Sequence, residues 1–131
     1  MQKINVNTSE QTEMKNITDQ IQDMVSNSDI KDGICYVFIP HTTAGITINE
    51  NADPDVKTDI IKELNKIIPF QDDYRHFEGN SAAHIKTATV GSSESIFIEN
   101  GILQLGRWQG IFFCEWDGPR RREVWIKTIS S

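Results

Sequence analysis

Apolar residues along this chain recur with two distinct periods, and the change from one to the other marks out its elements. From Ile17, the positions Ile17, Ile21, Met24 and Val25 fall at i, i+4, i+7 and i+8, one stripe of an amphipathic helix. Thr18 is the expected N-cap, and Asp19 puts negative charge in the first turn, where it suits the helix dipole. Asn27 to Gly33 reads as the exit turn. A second helix, over 54–68, is marked more sharply. Asp53 caps it, and Pro54 takes the first helical position, where a missing N–H costs nothing. Val56, Ile60, Ile61, Leu64, Ile67 and Ile68 form its apolar stripe, and Pro69 ends it. Its other face carries Asp59, Lys62, Glu63 and Lys66, opposite charges three apart. A shorter helix starts at Asn80 or Ser81, either of which can cap it, and runs to about Val90 with Gly91 at C′. Ala82, Ala83 and Ala88 let it pack closely on a sheet.

Elsewhere the period drops to two, or apolar residues run on without a break. Residues 2–8 alternate weakly through Ile4 and Val6, as in an edge strand. Ile34-Cys35-Tyr36-Val37-Phe38-Ile39 is a continuous β-branched and aromatic run stopped by Pro40, the pattern of a strand buried on both faces. After His41-Thr42-Thr43, residues 44–49 alternate with Ile46 and Ile48 on one face, which predicts an antiparallel strand beside the first. Further strands are expected at 96–98, 102–105, 110–116 and 123–129. Glu99-Asn100-Gly101 is a hairpin signal, and Asp117-Gly118-Pro119-Arg120 a second turn. The expected fold is α+β, a single domain over 1–131 of mostly antiparallel β-sheet with two or three helices.

Composition narrows the function classes. With 131 residues, 37% hydrophobic and 24% charged, the chain can build a core without disulfide staples. A net charge of −6 argues against non-specific nucleic-acid binding, which needs a basic face; Arg120-Arg121-Arg122 is only a local cluster. No run is long enough to span a bilayer, and Met1 to Asn7 lacks the apolar core of a signal peptide, so no membrane association is expected. Cys35 and Cys114 lie far apart in apolar runs, as reduced, buried thiols of a cytoplasmic protein would.

Candidate chemistry concentrates in Asp72 to His84, which holds two of the three histidines, with carboxylates, an arginine and an asparagine. With Ser81 as N-cap, His84 sits in the first turn of its helix, where the dipole favours a neutral imidazole suited to ligate a metal or act as a base. His76 and Glu78, two apart, point the same way in extended chain, and His41 follows a strand at its C-terminal edge. Three histidines with nearby carboxylates can make a three-ligand metal site, although the His-x7-His spacing matches no established metal pattern. The rival reading makes them hydrogen-bonded structural or surface groups. A second cluster is Asn49 to Asp55. Asp53 and Asp55 are explained by the helix start, whereas Asn49 and Glu50, at a strand end beside a helix N-terminus, are placed to hold a polar ligand. The third is Glu115, which alternation groups with Ile111 and Phe113, opposite Phe112, Cys114 and Trp116. It either pairs with a cation, Arg107 or one of Arg120 to Arg122, or serves a site, and pairing is the commoner case. Cys114, between Phe112 and Trp116, has the apolar setting of an inert thiol. No phosphate-binding glycine loop or nucleophile elbow is present.

With these residues in view, the chain resembles the YjbQ-type family, small proteins often labelled secondary thiamine-phosphate synthases. The matching stretches are His41-Thr42-Thr43-Ala44, Ile48 to Asp55, Tyr74-Arg75-His76, Gly79 to His84, Leu105 to Gln109 and Glu115 to Arg122, in order along nearly the whole chain. The resemblance implies an α+β subunit in a homotrimer, with sites near subunit interfaces. It also implies a weak thiamine-phosphate-synthase activity, in which a pyrimidine diphosphate is joined to a thiazole phosphate with release of pyrophosphate. On this reading His41, His76 and His84 hold a divalent metal, Zn or Mg, or act on phosphate. His76 and His84, with Glu78, Asp73 and Glu115, supply acid/base or supporting groups, while Asn49, Glu50, Asn80 and Arg120 orient a small phosphorylated metabolite. Two alternatives stand beside it: a non-catalytic trimeric metabolite-binding protein, and a metal-dependent phosphoester hydrolase with an unrelated substrate. Family members usually carry threonine where this chain has Arg107, a change that would alter ligand preference if that position borders the site.

Overall fold

Period-two patterning produces two antiparallel sheets that share one core, and the helices fill the sides the sheets leave open. The computed structural model describes residues 1–131. In chain order the elements are β1 Gln2–Asn7, β2 Glu13–Asn16, α1 Thr18–Ser26, β3 Gly33–Phe38, β4 Ala44–Glu50, α2 Pro54–Ile67, α3 Ser81–Val90, β5 Ser93–Glu99, β6 Ile102–Leu103, β7 Gln109–Glu115 and β8 Arg121–Ser130. One sheet has five strands in the order β1-β8-β3-β5-β6, and the other has three, β2-β7-β4. Every pairing is antiparallel. The fold is α+β with three helices, as the patterning predicts.

Inward residues of both sheets, Val6, Cys35, Val37, Ile46, Ile98, Ile111, Phe113 and Val124 among them, meet in the main core, which α1 joins through Ile17, Ile21 and Val25. The other face of β7 presents Phe112, Cys114 and Trp116, and with Met14 and Ala83 they make a second cluster beneath α2 and α3. The alternation of β7 therefore serves two cores at once. Both cysteines are buried and unpaired, and burial pushes their thiols up, to about 11 for Cys35 and about 12 for Cys114.

Four local expectations are corrected. β3 and β4 do not pair: β3 lies between β5 and β8, β4 pairs only with β7, and Pro40 to Thr43 crosses from one sheet to the other. A short connection between strands does not dictate a hairpin when each has a better partner elsewhere. β3 is also buried on one face only; Tyr36 and Phe38 are each 44% exposed, on the sheet face that no helix covers. Thr18 is not the cap of α1. Ile17 holds that position, while the Thr18 hydroxyl donates to Asn16 Oδ1 and accepts from the Ile111 N–H at 2.8 Å, tying the helix to β7. Finally, β2 has no counterpart in the patterning, because its four residues hold only one apolar side chain, Met14.

α2 conforms closely to expectation. Asp53 accepts from the Asp55 N–H at 2.9 Å, and Pro54 begins the helix. Its stripe is only half-buried, however, and Ile67 points outward. The β5–β6 hairpin forms at Asn100 and Gly101, which adopt φ 53° and 75°, the left-handed pair that a tight two-residue turn demands. Gly45 matters for the position of α3. A Cβ there would lie 2.5 Å from the Gly91 carbonyl oxygen, so only glycine lets the C-terminal end of α3 seat on β4.

Candidate functional site

The surface around α3 collects the polar side chains that the fold leaves uncommitted. α3 starts after Asn80, which occupies the cap position without capping: its Nδ2 donates to Asp117 Oδ2 at 3.0 Å instead. That bond fastens the start of α3 to the β7–β8 turn. The loop before α3 is pinned by Tyr74, whose hydroxyl donates to the Pro69 carbonyl at 2.5 Å. His84 therefore stands on an anchored helix beside an anchored loop.

His84 forms the wall between two adjoining hollows. One, about 520 Å³, is lined by Phe38, His41, Thr42, His84 and Thr87 among others. The second, about 350 Å³, is lined by Tyr74, Arg75, His76, Ser81, His84 and Ile85. The His76 and His84 rings meet edge to face with centroids 5.5 Å apart, and His76 Nε2 lies 3.8 Å from Glu78 Oε1. Arg75 forms no ion pair. His41 arrives from the connection between the two sheets. The register that sets Phe38 opposite Trp125 brings the Pro40–His41 segment alongside Glu123. There His41 Nε2 accepts from the Glu123 backbone N–H at 3.0 Å. Burial holds the His41 imidazole below its ordinary pKa, with the Arg122 guanidinium acting in the same direction; the Glu123 backbone and the carboxylates of Glu115 and Glu123 oppose them more weakly.

The three histidines thus border one continuous surface without converging. No three His, Cys, Asp or Glu side chains of the chain come together as metal ligands, and one nitrogen of His41 is already engaged by the backbone. Within one subunit His76 and His84 form the close pair, and His41 reaches the cleft from a separate segment.

The remaining candidates separate from the histidines. Glu115 is fully buried, and its oxygens accept from Arg122 Nε at 2.8 Å, Arg122 Nη2 at 2.5 Å, Thr8 Oγ1 at 2.8 Å and the Asp117 N–H at 3.1 Å. Burial alone would push its carboxyl up. The hydrogen bonds from Arg122, Thr8 and Asp117, with the Arg122 charge, outweigh burial and hold it below the usual carboxylate range. Glu115 is a structural ion-pair partner and cannot reach a ligand as acid or base. Arg120 closes its own turn on Asp117, 2.8 Å from Nη2 to Oδ2, and does not line the cleft. Asn49 accepts from the Glu50 N–H, and Glu50 accepts from the Ala52 N–H, so both shape the entry to α2. Asn49 borders an apolar hollow beneath α2, and Glu50 a small one at the α2 N-terminus; neither belongs to the histidine cleft. Asp73 is exposed and borders neither hollow. The guanidinium of Arg107 stacks on the Trp108 ring at 4.8 Å, also away from the cleft.

Sequence reasoning did not single out Arg75, Ser81 or Thr42 as site residues, though all three line the cleft. Arg75 carried a usable signal, a cation beside His76 in a stretch with almost no apolar residue to bury.

Comparison with known proteins agrees over the whole chain. Residues 2–131 match the family model described as UPF0047 protein YjbQ-like. A UPF0047 protein of Methanocaldococcus jannaschii is 54% identical over 97% of this chain and 92% of its own length. The UPF0047 protein YugU of Bacillus subtilis is 47% identical over 98% of both. Among solved structures, an uncharacterised conserved YjbQ/UPF0047 protein from Clostridium acetobutylicum superposes with a TM-score of 0.96 at 53% identity, covering 98% of this chain and 100% of that one. A protein of unknown function from Sulfolobus solfataricus does so at 0.95 and 32% identity, covering 99% and 96%.

Proposed function

The chain belongs to the YjbQ-like UPF0047 family, and from that premise we propose that it is a small enzyme acting on a phosphorylated metabolite in the cleft that His84 divides. The observation that carries this reading is the second hollow, where an unpaired Arg75, His76, Ser81 and His84 surround about 350 Å³. Arginine offers a planar fork that matches phosphate oxygens, and histidine and serine add donors beside it. The larger hollow, walled by Phe38 and floored by small residues of α3 (Thr87 and Ala88), suits the ring or carbon body of the same ligand. His84 touches both compartments, so it can move a proton at the junction between body and phosphate.

A thiamine-phosphate-synthase-like transfer fits this division. The bond between the pyrimidine methylene and its diphosphate breaks, a thiazole nitrogen takes that carbon, and pyrophosphate leaves into the basic compartment. Asp73 and Glu78, on the loop that carries His76, lie close enough in sequence to set the charge of that compartment without lining it. Any divalent ion, Zn or Mg, would come with the phosphates of the ligand rather than sit on three histidines. Tyr36, Phe38, Phe97 and Ile129 leave an exposed apolar area on the uncovered sheet, which suits contact between copies in a cytoplasmic homotrimer. Phe38 belongs to both that area and the cleft, so such contacts would border the site.

Incubation with a pyrimidine diphosphate and a thiazole phosphate, with pyrophosphate release followed, tests the transferase. Turnover that falls at least tenfold in His84→Ala supports it. Saturable binding without turnover identifies a binding protein instead, and phosphate release from unrelated phosphoesters identifies a hydrolase.

A further inference from the structure

The bond between Glu123 and His41 decides something about the cleft that the residue type alone does not. A backbone N–H can only donate. The His41 nitrogen that faces it, Nε2, 3.0 Å away, must therefore be the unprotonated one. A neutral imidazole has one proton, and that proton then resides on Nδ1. The arrangement is built into the sheets. Glu123 is the third residue of β8, held opposite Asn5 of β1, and the preceding residue, Arg122, is locked by Glu115 and Thr43. Protonating the ring at Nε2 would turn it into a donor aimed at another donor and break this bond. Nδ1 has no hydrogen-bond partner in the chain and is not among its buried unpartnered atoms, and His41 lines the larger hollow.

We propose that His41 is a fixed hydrogen-bond donor of the cleft, its Nδ1–H addressed to an anionic or carbonyl oxygen of the ligand, and that it is a positioning residue, neither a metal ligand nor a base. This rests on the reading of the cleft as the ligand site. It also divides the labour among the histidines: His41 orients, while the ring nitrogens of His84 and His76 make no such backbone bond and stay open to the ligand. A ligand lacking an oxygen at that point leaves the donor unanswered and is selected against.

The test begins with long-range nitrogen–proton NMR of the whole protein labelled at its histidines. The resonance pair that vanishes in His41→Ala belongs to His41. The expected pattern is Nδ1 protonated and Nε2 bare at neutral pH, with Nδ1 shifting on addition of inorganic pyrophosphate and not on addition of Zn²⁺. Pyrophosphate affinity is then compared among variants. His41→Asn places an amide N–H near the Nδ1 position and is expected to bind within about threefold of the unsubstituted protein, whereas His41→Gln and His41→Ala lose about tenfold, the equivalent of one hydrogen bond. A proton on Nε2, a Zn²⁺-shifted Nδ1, or equal affinity of the Asn and Ala variants overturns the donor role and leaves the cleft reading standing. Failure of the unsubstituted protein to bind pyrophosphate removes the cleft reading and the donor role together. The tautomer is read on the unsubstituted protein, so it survives any loss of stability in the variants.

Discussion

Glu115 lies beside an arginine and Glu78 beside a histidine, and the two pairs could hardly differ more in setting. Arg122 and Glu115 are 4% and 0% exposed, whereas His76 and Glu78 are 42% and 70% exposed and 3.8 Å apart. Around the first pair the carboxylate is fully answered: Thr8 and the Asp117 N–H complete Glu115, and Thr43 accepts from Arg122 Nη2. That knot joins β8 of one sheet to β7 of the other and to the start of β4. Around the second, the side chains keep unused donors and acceptors next to a hollow. Polar groups that answer one another hold sheets together. Polar groups left unanswered beside a cavity are what a ligand can use.

The largest expected effect tests the buried side of that contrast. Glu115→Ala leaves the Arg122 charge without a partner in the core and should lower unfolding free energy by about 3–5 kcal/mol in urea titration. A loss below about 1 kcal/mol would mean that the knot is no more structural than the exposed pair. Its pH dependence has a definite sign. The folded Glu115 carboxyl lies below its unfolded value, so its stabilisation is present above the ordinary glutamate range, about 4.3, and is lost as pH falls through the depressed folded value. Glu115→Gln should therefore show a shallower acid transition than the unsubstituted protein.

Lys86 sharpens the comparison, because it is buried like Arg122 yet has no carboxylate. Its Nζ bonds to Asn65 and lies over the rings of Phe70 at 4.1 Å and Trp116 at 5.6 Å, and burial lowers its pKa to about 8. The unfolded chain holds that proton up to about 10.4. Stability should then rise as pH climbs from about 8 toward that value, by no more than about 3 kcal/mol, and Lys86→Met should abolish the rise. A rise that persists in the variant assigns it to another group.

The exposed side predicts effects on binding rather than folding. Arg75→Ala should weaken pyrophosphate binding about tenfold, as loss of a charge-assisted hydrogen bond does, and leave the urea midpoint nearly unchanged. Smallest of all, Glu78→Ala should change stability by less than about 0.5 kcal/mol, since an exposed pair at that distance contributes little. A larger change would show that the loop is held by that pair rather than by Tyr74.

Much of this was legible in the sequence wherever a local rule sufficed. Asp53-Pro54 starts α2 because capping and a fixed φ act within one turn. The split of β7, Ile111, Phe113 and Glu115 on one side and Phe112, Cys114 and Trp116 on the other, follows from strand geometry alone. Density of polar residues pointed to the loop and helix around His84, and the structure gathers Arg75, His76, Ser81 and His84 from them around one hollow. Choices between distant partners were not legible. Nothing local says that β4 prefers β7 to the adjacent β3, or that Asn49 and Glu50 turn toward α2 and away from the histidines.

The sequence by itself determined where the three helices and every strand but β2 lie, that Glu115 faces the core, and that two histidines flank one helix start. Those follow from periods of 3.6 and 2 and from capping chemistry. Only the tertiary structure decided which arginine answers Glu115, that His41 and His84 wall the same cleft, and that a backbone N–H from β8 fixes the proton of His41. Each is a meeting of residues far apart in the chain, and such meetings are set by sheet register and core packing, which no local pattern encodes.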